Sequence, residues 1–315
     1  MAHPLRALVA ELAADLREEV LPELGRREGR EHSGDGAGGD VTFAIDERAE
    51  ARMEAFLAER APDVAFYSED RGMVIPDEEP SWVLVVDPID GTRPALAGLE
   101  SACVSVAGAA YGAGRPTMGD VEVGCVVEIK SGATFFAVRG EGVDPQPALS
   151  ENASIERMLW TYGFRGRPAV ATTIVLEDLI DASSVSGGTF DLGSATFDMT
   201  RLVTGQLDAY VEPGPRMIDE VPGMRAEFER VGRGAVLNNS PYDLAAAALI
   251  LVEAGAIVTD ARGRPLDDRE LLGSGHEFQM SCVAAANAEL HAALIEALDT
   301  GIERLRSAGS RSARD

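Results

Sequence analysis

The pattern of apolar and polar positions divides the chain into stretches of different period. Leu5, Leu8, Val9, Leu12, Leu16 and Val20 recur at helical spacing, so residues 4–26 are predicted to form an amphipathic helix. Residues 27–41 are rich in glycine and charge and read as a mobile loop. Ala49, Met53, Phe56 and Leu57 then share one helical face, with Asp46 where an N-cap belongs. Residues 64–70 read as a short strand ending in the acidic pair Glu69 and Asp70, and residues 71–81 as a Pro-rich connection. Trp82, Val83, Leu84, Val85 and Val86 form the unbroken apolar run of a strand buried on both faces.

That run ends abruptly in Asp87, Pro88, Ile89, Asp90, Gly91 and Thr92. Pro88 has no N–H for a sheet ladder, so the strand is expected to stop there. Gly91 permits a backbone geometry that other residues resist, and Thr92 suits a helix start. The prediction is a strand–turn–helix corner with Asp87 and Asp90 at its mouth. Two close carboxylates repel unless a cation sits between them. Hard divalent ions such as Mg²⁺ take such oxygen ligands, and a helix N-terminus favours phosphate. The alternative is that both aspartates only cap and punctuate the turn.

Beyond the corner, residues 102–110, 121–130 and 133–139 are strand-like. The middle run alternates Val121, Val123, Cys125, Val127 and Ile129, as an antiparallel strand with one face in the core would. From about residue 150 strands alternate with helices: helices over 194–205, 243–255 and 287–306, strands over 207–212, 256–260 and 280–286. A meander followed by an α/β pattern implies an α+β protein of layered sheets and helices. Its two halves, 1–150 and 151–315, are expected to pack as one catalytic unit.

Composition narrows the function. No apolar run reaches membrane-spanning length, and the first residues lack the layout of a signal peptide, so a cytoplasmic protein is expected. Cys103, Cys125 and Cys282 are scattered in apolar segments and are expected to be buried free thiols. The formal net charge of −25 argues against nucleic-acid and anionic-membrane partners. It would also repel a phosphate, unless a bound cation dominates the local field.

A second informative stretch runs from Tyr242 and Asp243 through Ala245, Ala246, Ala247 and Ala248 to Glu253, Ala254 and Gly255: a carboxylate opening a very apolar helix. Together with Ser68-Glu69-Asp70 and Asp87-Pro88-Ile89-Asp90-Gly91-Thr92, it makes the chain resemble the inositol monophosphatase family of metal-dependent phosphatases. The resemblance runs from about residue 4 to about 300. It implies a layered α/β/α/β/α sandwich, a homodimer and two or three Mg²⁺ ions. It further implies that Glu69, Asp87, the Ile89 carbonyl, Asp90 and Asp243 bind metal, and that Thr92 and Asp46, with Glu69, serve the attacking water. Gly91 and Thr92 would offer N–H groups to the phosphate, Gly193 and Ser194 would open a helix beside the substrate, and Glu212 would bind a hydroxyl. The implied function is hydrolysis of a small polyol or sugar phosphate. Fructose-1,6-bisphosphatase, histidinol-phosphate phosphatase and a sugar phosphatase of specialised metabolism are the alternatives, and a catalytically silent metal-binding subunit is the rival of another class.

The chain also departs from the family pattern. Asp70 replaces a glutamate, Tyr242 stands where tryptophan is common, and Arg93-Pro94 follows Thr92. Glu212 and Asp243 lie unusually far apart. The extra residues, about 213–240, read as a lid, an oligomer contact or a disordered excursion. Arg216 within them either grips a second anionic group of the substrate or pairs with Asp219 or Glu220. The segment from Trp160 to Arg167 either binds a second phosphate or forms a solvent-facing turn.

Overall fold

The computed structural model describes residues 3–26, 32–35, 41–76, 79–112 and 114–312. In chain order these form α1 (Arg6–Val20), β1 (His32–Asp35), β2 (Val41–Phe43), α2 (Ala44–Arg60), β3 (Ala65–Ser68), β4 (Gly72–Val74), β5 (Trp82–Asp90) and α3 (Thr92–Ala97). A meander follows: β6 (Cys103–Ala110), β7 (Val121–Glu128), β8 (Thr134–Val138) and β9 (Gly142–Asp144). The second half contains β10 (Leu159–Tyr162), α4 (Ala169–Ser183), β11 (Gly188–Phe190), α5 (Ala195–Val203), β12 (Ala209–Glu212), α6 (Gly214–Glu220) and α7 (Met224–Val231). It closes with α8 (Pro241–Ala254), β13 (Ile257–Thr259), β14 (Cys282–Ala285) and α9 (Ala288–Ser312).

A seven-stranded sheet has the order β4-β3-β5-β6-β7-β8-β9, and a five-stranded sheet the order β11-β10-β12-β14-β13. Alternation along β5 assigns its two faces. Leu84 and Val86 pack with Leu12 and Leu16 of α1 and Met53 and Phe56 of α2. Val83 and Val85 pack on the other side, with Leu244 to Leu251 of α8 and Met199 and Leu202 of α5. The same cluster reaches Tyr210, Cys282 and Ala284 of the five-stranded sheet. Leu176, Leu294, Leu298 and Phe228 cover that sheet's far face from α4, α9 and α7. The expected α/β/α/β/α layering is therefore present. Helix α8 is apolar all round because it lies between the two sheets.

Several boundaries differ from expectation for identifiable reasons. Strand β5 does not stop at Pro88 but runs to Asp90, with a register shift against β6 between Asp87 and Asp90. An irregularity of this kind is where a sheet tolerates proline. Strand β7 is buried on both faces, not one, because α8 lies on the second. A Cβ on Gly124 would meet the Ala246 carbonyl oxygen at 2.9 Å, so glycine permits that close approach. Residues 32–35 pair antiparallel with 41–43; residues 27–31 and 36–40 of the expected loop lie outside the described residues. Helix α4 has no predicted counterpart, having Pro168 at its N-cap and no side-chain cap to signal it. Cys103, Cys125 and Cys282 are buried free thiols, as expected.

Candidate active site

The register shift in β5 turns consecutive polar groups toward one cavity of about 360 Å³, lined by Glu69, Asp87, Asp90, Thr92, Gly193 and Asp243 among others. The Asp87 carboxylate accepts the Ile89 N–H at 3.0 Å, closing a tight local turn. Gly91 follows with φ +90°, and a Cβ there would meet the Ser101 carbonyl oxygen at 2.6 Å. Both constraints demand glycine. Helix α3 then starts at Thr92, whose Oγ1 lies 3.1 Å from Asp46 Oδ1 and 3.2 Å from the Ile89 carbonyl oxygen.

Asp46 is not the N-cap of α2. It occupies the third helical position and accepts the Phe43 N–H at 2.9 Å through Oδ2, leaving Oδ1 for Thr92. Asp243 repeats the arrangement on α8, where it accepts the Ser240 N–H at 2.6 Å. In both helices a carboxylate satisfies a backbone N–H at the helix start while keeping one oxygen for the cavity.

Oxygens of Asp87, Asp90 and Asp243 all lie within 4.8 Å of one another. Asp87 and Asp90 are buried. Burial and the charges of Glu69, Asp90 and Asp243 push the Asp87 carboxyl well above its usual range. Asp243 is pushed up to about 8 by burial and by Asp90, against the opposing effect of Arg165 and Arg167. Burial raises Asp90 too, although Thr196 and Ser194 hydrogen bonds work the other way. Such a cluster is an oxygen-rich donor set suited to a hard cation, whose charge would remove the repulsion. Glu69 and Ile89 line the same cavity, so every residue expected to bind metal is brought together here.

Two expected substrate residues have other partners. Ser194 caps α5 by accepting the Phe197 N–H at 3.1 Å and donates to Asp90 Oδ2 at 2.8 Å. Thr196 adds its N–H at 2.6 Å and its hydroxyl at 2.5 Å to the same oxygen. Gly193 and Ser194 therefore lie at the site as expected, with the Ser194 hydroxyl turned to a carboxylate. Glu212 is fully buried: it accepts from Arg167 and from the Gly214 N–H at 2.8 Å.

Arg216 is not brought to the cavity. Its guanidinium meets Asp299 at 2.6 Å, Glu220 at 3.0 Å and the Ala261 carbonyl at 2.7 Å. The segment after Glu212 is not a disordered excursion, and its last residues, Leu237 to Asn239, line a small cavity with Glu69 and Asp243. It folds as α6 and α7, and buries Met217, Val221 and Phe228 against the five-stranded sheet. Thr196 and Asp191 are site residues that sequence reasoning did not single out, whereas Arg165 belongs to the segment from Trp160 to Arg167 that it did. Arg165 and Asp191 line the cavity beside Gly193. Only Thr196 carried a local signal, in the helix-capping sequence that opens α5.

Comparison with known proteins adds independent information. The model of the inositol monophosphatase family matches residues 1–303. A fructose-1,6-bisphosphatase/inositol-1-monophosphatase of Methanothermobacter thermautotrophicus is 27% identical, over 93% of this chain and 96% of the relative. An inositol-1-monophosphatase of Synechocystis is 26% identical over 84% of this chain and 78% of its own. The extragenic suppressor protein SuhB of Bartonella henselae shares the fold with a TM-score of 0.70, at 22% identity over 94% of this chain and 98% of the other.

Proposed function

The chain belongs to the inositol monophosphatase family of phosphatases, and from that premise we propose a Mg²⁺-dependent enzyme that hydrolyses a small polyol or sugar phosphate monoester. The observation carrying this reading is the cluster of Asp87, Asp90 and Asp243 oxygens within 4.8 Å, in one cavity with Glu69 and the Thr92–Asp46 pair. Glu69, Asp87, the Ile89 carbonyl, Asp90 and Asp243 would hold the cations, two or three of them. Bound there, Mg²⁺ would supply charge neutralisation of the phosphoryl oxygens and of the departing alkoxide.

The chain's own groups do the rest. Thr92 Oγ1 donates its hydrogen bond to Asp46, which leaves a lone pair of the hydroxyl to accept a hydrogen bond from the attacking water and orient it; as the water's proton passes to Thr92, the hydroxyl's own proton passes to Asp46. The Gly91 and Thr92 N–H groups at the start of α3 would bind the phosphate. Ser194 and Thr196 hold one oxygen of Asp90 through three hydrogen bonds and so aim the other. This intact machinery favours an enzyme over a silent metal-binding subunit. The net charge of −25 supports a substrate other than nucleic acid. A cytoplasmic homodimer completes the reading; among the described residues no helix is long and apolar enough to cross a membrane.

The test is phosphate release from a panel of inositol, sugar, amino-alcohol and nucleotide phosphates, with Mg²⁺ and with a chelator. Turnover of a polyol or sugar phosphate that disappears with the chelator is expected. Hydrolysis that persists without divalent cation, or no hydrolysis of any panel member, overturns the reading.

A further inference from the structure

Among the described carboxylates lining the cavity of about 360 Å³, Glu69, Asp87, Asp90 and Asp243 are taken up by the proposed cations, and Asp191 is left over. It lies between β11 and α5, at the head of the short loop that carries Gly193 and Ser194. That loop is fixed on both sides. Phe190 pairs with Thr161 in the parallel β10–β11 ladder. The Leu192 carbonyl accepts from Ser101 Oγ at 2.6 Å, and Ser194 Oγ donates to Asp90 Oδ2 at 2.8 Å. Asp191 is thus held at the wall by neighbours that also hold the cluster, as a preorganised binding group is.

Two features leave Asp191 to meet the substrate. Asp191 is exposed, and among the described residues its carboxylate makes no ion pair and no hydrogen bond with another side chain. It accepts from the Gly193 N–H, and Arg165 and Arg167 act on it through their charge. With that charge already balanced, a neutral donor suits the carboxylate better than a further cation. The second feature is Glu212, the carboxylate expected to bind a hydroxyl. It is fully buried, is held by Arg167 and by the Gly214 N–H at 2.8 Å, and does not line the cavity. The chain at Gly163 covers it, since a Cβ there would meet Glu212 Oε2 at 2.6 Å. Opening Glu212 to a substrate would leave the buried Arg167 guanidinium without its carboxylate, which is costly.

We propose that Asp191 is a specificity-determining residue of this site, accepting a hydrogen bond from a hydroxyl of the substrate's alcohol part, a role Glu212 cannot fill. The inference rests on the phosphatase reading and narrows it to esters whose alcohol carries a further hydroxyl. A carboxylate desolvated by a substrate that lacks the hydroxyl is left unpaired, and this penalty is what rejects the analogue. Asp191 is assigned no part in holding the cations or the phosphoryl group, so its effect falls on the choice of ester.

Steady-state kinetics of the full chain in Mg²⁺ test it, with inositol monophosphate against cyclohexyl phosphate and β-glycerophosphate against isopropyl phosphate. Each pair keeps the carbon skeleton and differs in its hydroxyls. The wild type is expected to favour the hydroxylated member in kcat/KM, and Asp191→Ala to lower that preference at least about tenfold. Asp191→Asn keeps an acceptor oxygen and is expected to retain part of it. Glu212→Gln is expected to lower the melting temperature and to keep the preference. Asp191 is exposed, so Asp191→Ala is expected to melt as the wild type does, and a ratio read within one variant is unaffected by its folded fraction. A preference absent from the wild type, unchanged in Asp191→Ala, or lost in Glu212→Gln instead overturns the inference and leaves the phosphatase reading intact. No turnover of any of these esters by the wild type overturns that reading, and the inference with it.

Discussion

Asp87 is the residue on which most of the electrostatic strain converges, because Glu69, Asp90 and Asp243 all raise its carboxyl. Asp87→Asn is therefore expected to abolish turnover while raising the melting temperature of the metal-free protein. At alkaline pH, where the raised carboxyl is ionised, the amide keeps the volume and removes one repelling charge. Wild-type turnover in Mg²⁺, or a lowered melting temperature in chelator, would contradict the assignment. Thr92→Ala removes the hydroxyl that contacts Asp46 and leaves the cluster intact. Its kcat is expected to fall by roughly 10²–10⁴-fold, with Mg²⁺ affinity unchanged. A loss confined to KM would show that Thr92 binds substrate and does not serve the water. Arg216→Ala is a stability variant, since the side chain bonds Glu220, Ala261 and Asp299. A loss of about 1–3 kcal/mol is expected from the unsatisfied partners. The ratio of kcat/KM between a bisphosphate and a monophosphate should stay as in the wild type; a changed ratio would return Arg216 to the substrate.

Among the elements, α6 and α7 form the segment after Glu212, and the structure gives them a packing role. Phe228 of α7 is fully buried in the cluster that covers the five-stranded sheet. Phe228→Ala is expected to lower stability by about 3–5 kcal/mol, as large core truncations do. Its kcat per folded molecule should match the wild type; a large fall in kcat at unchanged melting temperature would instead mark a catalytic lid. The strand–turn–helix corner was legible from residues 82–92 because its signals are local. An apolar run, a proline, a glycine and a capping hydroxyl each act within a few residues. The end of β5 was not legible, because pairing with β6 carries the ladder past Pro88 through a register shift that only the partner strand supplies. The periodicity of α1 likewise predicted its buried face, Val9, Leu12, Leu16 and Val20. The burial of β7 on its second face depended on where α8 docks.

At the scale of the whole molecule, the carboxylate cluster links stability to pH. Burial pushes the Asp243 carboxyl up to about 8 and that of Glu50 up to about 7, whereas unfolded carboxyls titrate near 4. The native state therefore holds protons that the unfolded chain has already lost, so stability falls as pH rises. Without divalent cation, the melting temperature is expected to drop between about pH 4 and about pH 8. Mg²⁺ should restore it, most strongly at the alkaline end where the carboxylates are ionised. The net charge of −25 acts in the same direction, so Asp243→Asn is the control and should flatten the profile. A metal-free profile flat over that range, or no effect of Mg²⁺, would contradict the linkage. By itself the sequence determined the layered fold, the acidic corner and the helices that present Asp46 and Asp243, because turn chemistry, capping and hydrophobic period are written in adjacent residues. Only the tertiary structure decided the long-range partners: Arg167 on Glu212, Arg216 on Asp299, and Ser194 with Thr196 on Asp90. Each joins residues at least 45 positions apart, and a charge or hydroxyl has no period to announce its partner. The docking of the elements selects which donor meets which carboxylate.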